Sequence, residues 1–296
     1  MSRKAFFSLP GLFEFQELYR RFLPLYVEHR DWFYEDCEVD SLYGAPADCL
    51  WGGGRVGFGE DKPRQALDLC RRFGLSPRLT FSNSLLREEH LSDPGCNRLC
   101  DLFAREGNCG IIVHSDLLLQ YLRERWPGLY FLSSTTKVLT EPWELRRELE
   151  REEFRLVVPD FRLNHRLDLL DRLPPRLKEK VEFLCNECCD FNCSQRKLCY
   201  EAVSRKSLGE EYDLPCASPH AREGYRFSRA KENPGYLSPF AIRFTYLPGG
   251  FTHFKLEGRG LGSAMVLEFL LEYLTKPDYR LRVREEIYLD GMLDLF

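Results

Sequence analysis

The sequence predicts an α/β fold, a single (β/α)8 barrel of the TIM type. Three observations predict it. Short β-rich runs alternate with longer amphipathic runs along the chain. The alternation repeats about eight times, the number that closes a barrel. The β-rich runs end in polar residues, as strands do where a barrel carries its functional loops. Strands separated by helices pair in parallel and are covered by those helices. An open doubly wound sheet is the alternative architecture for the same alternation.

In chain order, KAFFSL (4–9) reads as the first strand and EFQELYRRFLPLYVEH (14–29) as the helix after it. DWFY (31–34) is taken as the second strand, with CLW (49–51) competing for the same unit. After the glycine-rich stretch WGGGRVGFG (51–59), RQALDLCRRFG (64–74) is a helix stopped by Gly74. The third and fourth strands are RLTFS (78–82) and GIIVH (110–114), separated by the helix NRLCDLFAREG (97–107). LLLQYLRERW (117–126) leads to LYFLSS (129–134), and EPWELRRELERE (141–152) to FRLVVP (154–159). LDLLDRLP (167–174) precedes KVEFLC (180–185), and FTHFKLE (251–257) is followed by the helix SAMVLEFLLEYL (263–274). Residues 205–237 are less periodic and read as a loop insertion over one end of the barrel, within a single domain covering 1–296. With the cysteines before it, the inserted region runs over about 185–237.

Composition narrows the function. With 296 residues and 44% hydrophobic content, the chain can bury a large core without disulfide staples. The formal charge of -4 gives no overall basic excess to announce nucleic acid. The most apolar stretch, AMVLEFLLEYL, is interrupted by Glu268 and Glu272 and is too short to span a bilayer. MSRKAFFSLPGLFEF carries Pro10, Gly11 and Glu14 and reads as a first strand and loop, not a secretion signal. A cytoplasmic location is therefore expected. There, clustered cysteines favour metal, cluster or redox roles over structural disulfides.

Chemistry in a barrel sits where strands end. That rule selects Ser82 and Asn83, His114 and Ser115, Ser134 to Thr136, Asp160, Asn186 and Glu187, and Glu257 with Arg259. Ser82, Asn83, Ser115 and Asp160 also suit turns or helix caps, and that reading is preferred for them. His114, Glu187 and Glu257 are the candidates to move protons. His114 has the competing reading of a buried structural histidine. Arg55, Asn186 and Arg259 are the candidate ligand-binding residues, the two arginines suiting a carboxylate. The glycine stretch lacks GxxxxGK[ST] and the strand–turn–helix setting of a dinucleotide fingerprint; it also suits a loop needing positive φ. No GxSxG or HExxH motif is present.

The densest signal is CNECCDFNCSQRKLC (185–199), which holds five of the twelve cysteines. Thiolates are soft, charged donors for zinc or for the irons of a cluster. Cys189, Cys193, Cys199 and Cys216 form a C-x3-C-x5-C-x16-C set. The spacing is wider than the paired knuckles of zinc ribbons. Cys185 belongs to a strand, and one of the adjacent Cys188 and Cys189 is a bystander. The radical-SAM pattern C-x3-C-x2-C is absent. Cys37, Cys49, Cys70, Cys96, Cys100 and Cys109 read as core or incidental thiols.

Four passages together resemble the TIM-barrel proteins of the collagenase-like peptidase family U32, in an uncharacterised iron–sulfur branch. They are LYGAPADCLWGGGR, NECCDFNCSQRKLCYEAVSR, YLSPFAIRFTY and FTHFKLEGRG; the last is similar to the family's FKIEGR strand end. The matching units span about residues 42 to 275. The resemblance implies a barrel and a [4Fe-4S] cluster held by four cysteines. Several such proteins are tied to oxygen-independent hydroxylation of RNA bases or quinone precursors, with prephenate as oxygen donor; others carry protease labels. This chain departs from them in its cysteine spacing.

Three readings follow. The first is an iron–sulfur enzyme carrying out oxygen-independent hydroxylation or a related redox modification of a small molecule or RNA, with an electron-transfer partner. The second is a barrel with structural zinc acting as a binding protein. The third is a peptidase. The basic residues Arg196, Lys197, Arg205, Lys206, Arg222, Arg226 and Arg229, with Tyr200 and Tyr225 among them, are read as a solvated surface before a nucleic-acid site.

Overall fold

The computed structural model describes residues 3–53, 62–216, 218, 221, 224 and 226–289. Its centre is one sheet of eight parallel strands: β1 (Ala5–Pro10), β2 (Cys37–Gly44), β3 (Ser76–Phe81), β4 (Gly110–Val113), β5 (Tyr130–Ser133), β6 (Phe154–Val157), β7 (Glu182–Leu184) and β8 (His253–Lys255). The order is β6-β5-β4-β3-β2-β1-β8-β7. A parallel bridge from Val157 to Val181 joins the two outer strands and nearly closes the barrel. The predicted (β/α)8 barrel is therefore the observed fold.

Between the strands run α1 (Gln16–Glu28), α2 (Pro63–Phe73), α3 (Pro94–Glu106), α4 (Asp116–Arg125), α5 (Pro142–Glu150), and the short α6 (Leu167–Leu170) and α7 (Pro175–Lys178). Their ends follow local chemistry. Gly74 takes the left-handed conformation that closes α2 (φ 66°). Asp93 accepts from the Cys96 amide at the start of α3, and Ser115 from the Leu118 amide at the start of α4. The long β7–β8 connection begins with α8 (Arg196–Ser207) and also holds the Phe227–Glu232 helix and a helical stretch over 239–249. The 205–237 span lies within this connection. No helix among the described residues is long and apolar enough to cross a membrane.

The second strand is a correction. DWFY does not enter the sheet. Trp32 lies in a 3-10 turn, stacked between His29 and Tyr279, while Phe33 meets Phe22 and Tyr26 edge-on. CLW is not a strand either; the Trp51 indole donates to the His90 carbonyl. The strand is CEVDSLYG, whose charges obscured it. Glu38 pairs with Lys4 at 2.5 Å, and Asp40 pairs with Arg78 at 2.5 Å.

That second pair has a fold-level cause. In most barrels the interior is filled by layers of branched apolar side chains. Here one layer is apolar: Tyr43, Ile112, Leu132 and Leu156 pack together. Beside it, Arg78 bridges Asp40 and Glu182, and its Nε donates to the Tyr130 hydroxyl at 2.9 Å. The Ser8 and Ser41 hydroxyls bond each other at 3.0 Å. The rest of the core, between strands and helices, is apolar.

Candidate functional site

A cavity of about 600 Å³ opens at the mouth formed by the C-terminal ends of the strands. Strand alternation builds it. Thr80 and Ser82 from the β3 end, Ser134 beyond β5, and Lys255 and Glu257 at the β8 end line it at every second position. Tyr43 and Ile112 from the apolar layer also border it. Over the mouth lies the loop after β7 with the first turns of α8. It contributes Cys188, Cys189, Cys193 and Cys199 to the cavity wall, and Cys216 arrives from beyond α8.

Buried charge holds this loop in place. Arg196, only 1% exposed, donates to a Glu187 carboxylate oxygen, and its Nε lies 3.2 Å from Asp160 Oδ2. The other Glu187 oxygen accepts from the Cys188 and Cys189 amides, both at 3.0 Å. Asp160 is shared with Arg162, whose Nη1 reaches the Cys193 carbonyl at 3.3 Å. Asn233 donates to the Cys189 carbonyl at 2.8 Å. Arg196, grouped with the surface bases from sequence, is instead the loop's buried anchor. The Asn83 amide ties α8 down by donating to the carbonyls of Leu50 and Ser204.

Asn83 also meets the glycine stretch. Its amide and that of Ser82 donate to the carbonyls of Trp51 and Gly52. Gly53 packs so closely there that a Cβ would stand 2.5 Å from the Asn83 nitrogen, and its φ is +70°. Glycine is required at that position by both counts. Arg55, a candidate ligand-binding residue, lies outside the described residues.

The other candidates fall in distinct places. His114 stands behind the cavity wall, its Nδ1 2.8 Å from Thr136 Oγ1. Burial, with Lys137 and Lys197 nearby, pushes its pKa down to about 4. Thr136 donates to Ser134 at 2.9 Å, and Ser134 bonds Ser82 at 2.9 Å. A chain of hydroxyls thus links His114 to the cavity. Asn186 uses both ends of its amide on the Glu257 backbone, at 2.9 and 2.7 Å, and so fixes Glu257. Arg259 lines the cavity, but its Nε is 2.7 Å from the buried Glu14 and its Nη2 donates to the Ala45 carbonyl. Glu187 serves the cysteine loop, as described above.

The four selected cysteines, Cys189, Cys193, Cys199 and Cys216, all border this one cavity. Among the described residues, no three cysteine thiols lie within 4.8 Å of one another; the one group that close is Glu187, Cys188 and Glu257. In that group the Cys188 thiol faces both carboxylates at 3.6 Å, and Glu187 is already engaged by Arg196 and two amides. Four thiolates around one zinc would sit about 4 Å apart, given Zn–S bonds of about 2.3 Å. Among the described residues, no three of these thiols stand that close together.

Sequence reasoning missed Lys255 and Thr80. Lys255 is 4% exposed, with its Nζ 3.4 Å from the centre of the Tyr43 ring and 3.8 Å from Glu182 Oε2. Burial pulls its pKa down to about 8, against the Glu182 carboxylate, and Arg78 lowers it further. The signal was available in FKLE: if Glu257 faces the mouth, period two brings Lys255 to the same face.

No protein-family model matches this chain, and no curated sequence matches it. Among solved structures, the U32 peptidase Mk0906 is similar over 87% of this chain and 94% of its own, with a TM-score of 0.55 and 16% identity. A structure described as AsfvAP:AG aligns over 97% of this chain and 98% of its own, with a TM-score of 0.37 and 10% identity. The first likeness is one of fold: the chain has a U32-peptidase-like barrel.

Proposed function

We propose that this barrel binds an iron–sulfur cluster at its mouth through Cys189, Cys193, Cys199 and Cys216, and carries out redox chemistry on a small molecule in the adjoining cavity. One observation carries the reading. Four thiols drawn from a loop, a helix and a distant segment border a single cavity at the end of the barrel where chemistry is located. The cavity volume falls in the range of small-molecule sites. The resemblance in the cysteine segment and FKLEGR points the same way and implies oxygen-independent hydroxylation.

When bound, a cluster would supply electrons or, with an iron not fully ligated, a position for a substrate oxygen. The chain's own residues do the rest. Arg196 and Glu187 hold the cysteine loop over the cavity. Asn186 keeps Glu257 at the rim. The Ser82–Ser134–Thr136 hydroxyls connect the cavity to His114, which burial keeps neutral at pH 7, so that it acts in the chain as a hydrogen-bonding partner rather than as an imidazolium acid.

The test is purification without oxygen, followed by iron, sulfide and zinc analysis and a visible spectrum. About four irons and four sulfides per chain, lost in C189A and C193A, are expected. One zinc without sulfide would replace the cluster by a structural ion, and metal-free protein would overturn the reading.

A further inference from the structure

The polar groups at the cavity floor do not all find partners among the described residues. Lys255 Nζ and Thr80 Oγ1 are both buried, and neither has a hydrogen-bond partner among the described residues. Both residues line the cavity. The nearest acid to Lys255 is Glu182, at an ion-pair distance of 3.8 Å. Buried polar atoms left without partners in a cavity mark the place where a ligand atom belongs.

We propose that Lys255 is a nucleophilic amine, and that the cavity takes a small aldehyde or ketone which Lys255 captures as a Schiff base. The setting is one that activates lysines: a desolvated amine beside other cations. Charged groups face it from several strands. Glu182 on β7 favours its protonated form; Arg78 on β3 and Arg259 beyond β8 oppose it; Glu257 favours it. Tyr43 on β2 presents its ring face. With its pKa near 8, Lys255 holds roughly 10²-fold more free amine at pH 7 than an ordinary lysine.

The step balances without an oxidant. The neutral nitrogen adds to the carbonyl carbon, and the carbonyl π pair moves to oxygen, which takes up a proton. One hydrogen then leaves the nitrogen, the oxygen takes a second proton and departs as water, and the nitrogen lone pair forms the C=N bond, which keeps the nitrogen's other hydrogen as a protonated imine. Thr80 Oγ1 is the hydroxyl available to the departing oxygen, and Glu182 is the nearest carboxylate to the nitrogen.

The inference shares the cavity with the proposed cluster but does not depend on it, so both are read on the same sample. Protein purified without oxygen, its iron content measured first, is incubated separately with dihydroxyacetone and with pyruvate. Each sample is treated with sodium cyanoborohydride and mapped by peptide mass spectrometry. The reduced adduct is expected on the Lys255 peptide, at least about tenfold above any other lysine. Labelling should rise with pH to a half-point near 8. It should vanish in K255R, which keeps the charge and removes the amine. Labelling spread evenly over surface lysines, or none at Lys255 with either ketone, would overturn the assignment in wild-type protein alone, whatever the variant's folding. Iron content bears only on the cluster, so the two ideas fail separately.

Discussion

Arg78 Nη1 lies 2.8 Å from Glu182 Oε1 although their strands, β3 and β7, stand on opposite sides of the barrel. The pair therefore crosses the barrel interior, where both side chains are almost wholly buried. Burial raises the Glu182 pKa, but Lys255 and Arg78 outweigh it and hold the carboxyl below its ordinary range. Removing one partner leaves the other with a single ion pair, Arg78 with Asp40 or Glu182 with Lys255. E182M and R78M are each expected to destabilise the fold, by up to about 3–5 kcal/mol, read from urea unfolding midpoints. The double replacement R78M/E182M removes both charges of the pair and should lose less than the sum. Additive losses would show that the two charges do not interact.

This pair also explains what the sequence left hidden. The helices were legible because their apolar spacing and stop signals are local: Ser263–Leu274 appears with the ends its periodicity gives, and α2 stops at Gly74. The second strand was not, because Glu38 and Asp40 are residue types that disfavour strands and their partners, Lys4 and Arg78, are distant in sequence. The same reasoning applies at the mouth. The cysteines announced themselves by density. Arg196 looked like one of several surface bases until Asp160 and Glu187 folded around it. Lys255 was passed over in favour of the more familiar Glu257 and Arg259 just after it.

His114 gives a pH prediction. In the unfolded chain its imidazole takes a proton near 6.5, whereas in the fold it does so only near 4. Between those values the unfolded chain binds more protons, so stability falls as the pH drops through that window. The contribution is fully present above about 6.5 and lost below about 4. Thermal melts of the wild type and H114Q from pH 7 to pH 4 check it. The wild type should lose more of its melting temperature across the window; parallel curves would remove His114 as the cause.

Arg196 should be indispensable to the cysteine loop. Its guanidinium sits between two buried carboxylates and over the rings of Phe161 and Tyr200. R196M leaves Asp160 with Arg162 alone and removes the Glu187 ion pair, so a loss of about 3–5 kcal/mol is expected. R196K restores the charge but not the planar fork and should recover only part of the loss. Limited proteolysis provides the local readout: R196M should become cleavable within 186–216 before the barrel unfolds. Cleavage unchanged there would mean that Asn233 and the backbone suffice to hold the loop.

The last prediction separates the adjacent cysteines. Cys188 and Cys189 differ in what surrounds their sulfurs. The Cys188 thiol lies 3.6 Å from an oxygen of Glu187 and 3.6 Å from an oxygen of Glu257. Two carboxylates disfavour a thiolate, the form a metal needs. Cys189 packs instead with Val158, Phe161 and Leu184, and Cys193 borders that cluster. Under the proposed ligand set, C188S should retain iron and sulfide when purified without oxygen, while C189S, C193S, C199S and C216S should each lose them. Circular dichroism on the same samples guards against simple misfolding. Full iron in C189S with none in C188S would exchange the two residues' roles. That result would also mean that the carboxylates around Cys188 rearrange when metal binds.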